Sequence, residues 1–248
     1  MSSVQPHDAD LYRTHAVAQF FLTVYAVLMY LFLIIFMPVS LVWYLMHEKD
    51  KAVISVAVTG ALSSIVFCAF KAFFSFSYRT PRAGFFVNYA YILLAYTLIP
   101  VAAVYLIFLV FSKDDDAFLA KSYFPLLCAF FSVYVPYTVL AGSRSAYSAF
   151  ELFCKPVLYT AMLAASAVCV FFLYRTGAAG KKLRTWAVML IVSLFIPAAI
   201  EAAWFVGFPF FVWLPFFAVY LFFSTCGAVR FWYEKFREDS ISIFLPNG

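Results

Sequence analysis

The stretch WAVMLIVSLFIPAAIEAAWFVGFPFFVWLPFFAVYLFFSTCGAV, Trp186 to Val229, contains a single charged side chain, Glu201. A helix crosses the hydrocarbon core in about 20 apolar residues, so this run is long enough for two crossings. Gly207-Phe208-Pro209 near its middle reads as the tight turn between them. A helix that is apolar on every side belongs in a protein core or a membrane, and no polar stretch here is long enough to build a soluble domain around it.

The same pattern extends outward. Between Ala16 and Val229 the chain is almost continuously apolar, with its charges in short clusters. Over 248 residues it is 66% hydrophobic and 12% charged, with mean hydropathy +0.95. That composition excludes an ordinary soluble domain. Seven segments qualify as spans: 17–46, 52–77, 85–112, 125–142, 156–174, 186–206 and 209–229. Long apolar runs rather than short alternation point to an all-α polytopic transmembrane helix bundle. The fourth segment is the weakest, being short, opened by Pro125 and interrupted by Pro136. If it or the fifth fails to cross, six spans remain. Residues 1–16 read as an N-terminal interfacial segment and 230–248 as a juxtamembrane tail. The first run is too long for a signal-peptide core, and no small-residue cleavage site follows it.

Basic residues near span ends set orientation. With seven spans, one side holds Arg13, Arg79, Arg82, Arg144 and Lys155. The other holds Lys49, Lys51, Lys113, Lys121, Arg175, Lys181, Lys182, Arg184, Arg230, Lys235 and Arg237. The second side is then cytoplasmic and includes the C-terminus, in an integral protein of the plasma (inner) membrane. The net charge of +5 is dispersed among span ends. It therefore implies membrane lipid as a partner, not nucleic acid.

Two ionisable side chains interrupt long apolar stretches. Lys71 lies about seven residues before Tyr78, roughly 10 Å deep at 1.5 Å per residue, and its stem can snorkel outward. Glu201 lies about six residues before Gly207, roughly 9 Å deep, on a shorter stem. It must pair, meet water or carry its proton. Seven spans put both at one depth near one surface, where a Lys71–Glu201 ion pair is expected. These two residues are the candidate substrate- or proton-binding groups. A water-facing Glu201 would favour transport, whereas a dry ion pair would favour a structural role.

Other features give weaker signals. Tyr-Arg-Thr recurs at 12–14, 78–80 and 174–176, each ahead of a run containing a proline, as an internal repeat or plain interfacial preference would give. Small residues mark helices that approach closely: Ser55, Thr59 and Ser63 with Gly60 and Ser64, the alanines near 161–167, and Ala198, Ala199, Ala202 and Ala203. Segments two, five and six are therefore expected inside, with one and seven peripheral. The loop Ser143–Lys155 has the pattern of an interfacial amphipathic helix. Asp114, Asp115 and Asp116 read as a solvated turn, lacking the spaced oxygens of a calcium loop. The five cysteines are Cys68, Cys128, Cys154, Cys169 and Cys226. They show no CxxC spacing and read as small buried hydrophobes.

Catalytic motifs are absent, and the histidines His7, His15 and His47 have no metal-ligand spacing. No cofactor or metal is implied. The function expected first is a small transporter or the membrane subunit of a transport complex. A non-catalytic structural or assembly subunit, docking membrane-protein partners or a second copy, comes next. An enzyme acting on a lipid-linked substrate at the interface is the third.

Overall fold

The structure is a computed structural model describing residues 6–48, 51–73, 83–111, 116–142, 148–176 and 181–244. It is a helical bundle. Helix α1 spans Pro6–His47 and α2 Lys51–Phe73. Helix α3, Phe85–Ile92, passes through a π-helical turn, Leu93–Leu98, into α4, Ile99–Phe111. Helix α5 spans Asp116–Gly142. A second π turn, Phe150–Cys154, leads into α6, Lys155–Thr176, followed by α7, Lys181–Phe205, and α8, Phe210–Phe244.

Seven stretches are long and apolar enough to cross a membrane, as expected: Gln19–His47, Lys51–Phe73, Phe85–Leu106, Lys121–Ala141, Phe150–Leu173, Ala187–Phe205 and Phe210–Tyr233. The chain is an integral, multi-pass membrane protein. Helices α1 and α8 run beyond their spans, so residues 6–16 and 230–244 continue the neighbouring helices.

The turn after α7 follows from its glycine. Gly207 has φ 88°, a left-handed conformation that costs glycine nothing. Its N–H donates to Trp204 O at 3.0 Å, and the Phe208 N–H donates to Ala203 O at 3.0 Å. This Schellman pair satisfies the last carbonyls of α7 and returns the chain as α8.

The layering differs from expectation in two respects, at the fourth span and at the second. The first and seventh spans are peripheral, 11% and 17% buried, but the most buried is the fourth, at 67%. A helix wrapped by other helices need not be lipophilic, which is why the central span had the weakest hydropathy. The second span is only 28% buried and meets α5 along one seam. That seam is Val53, Ala57, Gly60, Ser64 and Cys68, not the Ser55–Thr59–Ser63 stripe, and Ser55 is exposed. At Gly60 the backbones nearly touch: a Cβ there would collide with the Leu126 carbonyl oxygen and sit 3.4 Å from Ala129 Cβ.

Several spans carry proline internally, and three of these prolines share a consequence. Proline has no N–H, so the carbonyl one helical turn before it loses its donor. Pro125 leaves Lys121 O without its usual partner, and the Tyr44 hydroxyl donates to it at 2.9 Å. Pro197 does the same to Ser193 O, which accepts from the Tyr220 hydroxyl at 2.8 Å. Pro100 follows a π turn, where bonds reach back five residues and the Ile99 N–H donates to Leu94 O. The orphan is then Ala95 O, which the Tyr134 hydroxyl takes at 2.9 Å. In each case a tyrosine from another helix supplies the donor that proline removed.

Candidate functional site

Glu201 is buried, 1% exposed, one turn beyond Pro197 on α7. Its carboxylate accepts from Lys155 Nζ at 2.9 Å on one oxygen and from the Tyr159 hydroxyl at 2.9 Å on the other. Lys155 and Tyr159 are four residues apart and project from the same face of α6. The ion partner of Glu201 is therefore Lys155, 2% exposed as a side chain, in the role expected of Lys71.

Lys71 joins the same cluster by another route. Its ammonium donates to the Tyr134 hydroxyl at 2.7 Å and lies 4.0 Å from the centre of the Tyr96 ring. Lys155 Nζ lies 5.0 Å from that same ring. A cation over an aromatic face gains about 0.5–2 kcal/mol, the upper end where it is desolvated, so Tyr96 helps hold the buried Lys155 and the half-buried Lys71. The Tyr134 hydroxyl in turn donates a hydrogen bond to Ala95 O in the π turn. Two lysines, one carboxylate and three tyrosines thus meet from α2, the Leu93–Leu98 turn, α5, α6 and α7.

Local sequence explains the convergence. The two π turns lie directly upstream of Pro100 and Pro156, where helices relieve a missing bond by widening. One turn carries Tyr96; the other precedes Lys155. On the loop side, Phe150 stacks on Trp204 with centroids 4.5 Å apart and meets Trp213 edge-on at 5.2 Å. Phe131 lies against Tyr159 at 5.7 Å. Trp204 and Tyr159 lie on the same helices as the pair, and the Lys155 and Glu201 side chains are 2% and 1% exposed. Two cavities of about 570 and 520 Å³ lie elsewhere in the bundle, and neither is lined by Glu201, Lys155 or Lys71.

The sequence pattern places Lys155 among the loop charges and Ser143–Lys155 in an interfacial helix. Residues 143–147 lie outside the described set, but from Ala149 onward the segment is helical and opens the fifth span. Lys155 is consequently a bundle residue and drops out of the count of loop charges. The available signal was Lys155 with Tyr159 at i, i+4 at the head of an apolar run. Tyr96 and Tyr134 gave no signal, since tyrosine is common in spans.

Of the remaining features, Tyr78-Arg79-Thr80 and Asp114-Asp115 lie outside the described residues, as do the side chains of the other two Tyr-Arg-Thr copies. A His47 ring nitrogen hydrogen-bonds Trp43 O at 2.8 Å. Among the described residues no cluster of three or more His, Cys, Asp or Glu side chains could hold a metal, and all five cysteines are free thiols. No family model matches the chain, nor does any curated protein or solved structure.

Proposed function

We propose that this chain is a non-catalytic structural or assembly subunit of a membrane complex, in which the Lys155–Glu201–Tyr159 network fixes how its own helices meet. One observation carries this reading: both Glu201 oxygens are taken by side chains at 1% exposure. Such a carboxylate is a pinned strut rather than a docking point for cargo. Buried ion pairs add little net stability but are costly to break, which suits selection of one helix arrangement. The sparsely buried faces of α1 and α8 are then available for membrane-protein partners, a second copy or lipid. Basic residues remain in excess at the end shared by Lys51, Arg184 and Arg230, supporting a cytoplasmic C-terminus in a plasma (inner) membrane.

A transport role is the second reading, with Glu201 as the proton or substrate carboxylate and Lys71 beside it. It draws on two π turns flanking the cluster, a feature frequent at functional sites. The Thr97 hydroxyl, next to Tyr96, adds to it, being buried with no hydrogen-bond partner among the described residues.

Labelling with dicyclohexylcarbodiimide, which reacts with protonated carboxyls in apolar surroundings, separates the two. The strut reading expects Glu201 unlabelled by mass spectrometry between pH 6 and 8, and a Lys155→Glu/Glu201→Lys exchange that keeps the protein folded and in its complex. Labelling of Glu201 that rises as pH falls refutes it and supports the proton pathway.

A further inference from the structure

A groove of about 570 Å³ runs between α6, α7 and α8, on the far side of α7's proline from Glu201. Its walls include Met189, Ser193, Phe216, Phe223 and Gly227, with Arg230 at one end. The volume lies within the roughly 300–1,000 Å³ typical of small-molecule sites. Met189, Phe216 and Phe223 are exposed, so the groove opens sideways, toward the hydrocarbon of a surrounding bilayer. Its polar wall is already engaged: the Tyr220 hydroxyl donates to Ser193 O and also meets Ser224. The rest of the lining is apolar except at one end, where the exposed Arg230 contributes to the wall.

That end is basic on both flanking helices. Arg184 and Arg230 stand the same number of residues from the Gly207 turn, so the antiparallel α7 and α8 bring them to one level. Both are exposed, and Lys181 and Lys182 occupy the first turn of α7. Basic side chains at a membrane surface attract anionic headgroups. At Gly227 a Cβ would meet nothing within 4 Å, so the absent side chain leaves the channel open.

We propose that this groove holds one acyl chain of an anionic phospholipid, with its phosphate on Arg230. The chain supplies the apolar surface that Met189, Phe216 and Phe223 lack, and the headgroup meets the basic level at the end of α8. This site is independent of the Glu201 network.

Native mass spectrometry of the full chain in detergent, titrated with dioleoyl phosphatidylglycerol or dioleoyl phosphatidylcholine, tests it. The expected result is one retained phosphatidylglycerol with at least a fivefold preference over phosphatidylcholine. Arg230→Gln should remove the preference and Arg230→Lys keep it. Gly227→Trp should abolish the tight lipid, while Gly227→Ala preserves it; Gly227→Leu repeats the blockade if the tryptophan variant does not fold. Equal retention of the two lipids, or undiminished binding with the groove filled, overturns the proposal. A dimer that Gly227→Trp dissolves also overturns it, by assigning the groove to a second copy.

Discussion

Removing the Tyr220 hydroxyl should cost more than one ordinary hydrogen bond, and only because Pro197 is present. In Tyr220→Phe the ring stays and Ser193 O loses its 2.8 Å donor. Ser193 is 5% exposed and Tyr220 8%, so no solvent replaces that donor, and Pro197 has no N–H to offer. A buried acceptor left unsatisfied costs about 1–3 kcal/mol. In Pro197→Ala the backbone N–H of residue 197 returns to Ser193 O, and the tyrosine becomes a second donor to a satisfied carbonyl. Its loss should then cost about 0.5–1 kcal/mol. The contact of Tyr220 with Ser224 is broken in both backgrounds and cancels. The double-mutant cycle, read by reversible unfolding of purified protein in mixed detergent and dodecyl sulfate, should give a coupling of about 1–2 kcal/mol. Costs that add to within about 0.5 kcal/mol would refute the idea that the tyrosine substitutes for the missing amide.

Three further outcomes follow from the geometry. Glu201→Leu should destabilise by about 3–5 kcal/mol because Lys155 is left charged and dry, while Lys155→Met/Glu201→Leu should recover most of that loss in the same unfolding assay. Gly60→Ala drives a methyl into the Leu126 carbonyl and should cost about 1–3 kcal/mol; a neutral effect would mean that α2 and α5 separate freely. In a cysteine-free background, a membrane-impermeant maleimide applied to intact cells should label Phe208→Cys and not Arg184→Cys. The reverse pattern inverts the proposed orientation.

How legible each part was depended on what surrounds it. Lipid imposes one rule on every span, so seven apolar runs and the Gly207 turn could be read directly from residue order. The same rule fails where the neighbour is protein. The fourth span, carrying Ser122, Pro125, Ser132 and Pro136, had the weakest membrane signal because helices surround it. Glu201 stood out since one carboxylate interrupts an apolar run. Its partner did not, because Lys155 lies near a span end, where basic residues ordinarily mark the interface. Pro125 and Pro197 orphan the carbonyls four residues back, but at Pro100 the π turn moves the orphan to Ala95 O, and the tyrosines that reach all three come from other helices, as far as 77 positions away for Tyr44 and Lys121. Such pairings depend on helix packing, which residue order alone does not display.

The Lys155–Glu201 pair also imposes an order on biosynthesis. The two residues are 46 positions apart, so at usual elongation rates Lys155 leaves the ribosome roughly 2–9 s before its carboxylate exists. An ammonium without a counter-ion is costly in the bilayer interior, and its four-carbon stem lets it wait at the headgroup level. The helix that begins at Lys155 therefore reaches its final depth only when α7 arrives. These two segments are expected to complete membrane insertion as a hairpin rather than as two separate events.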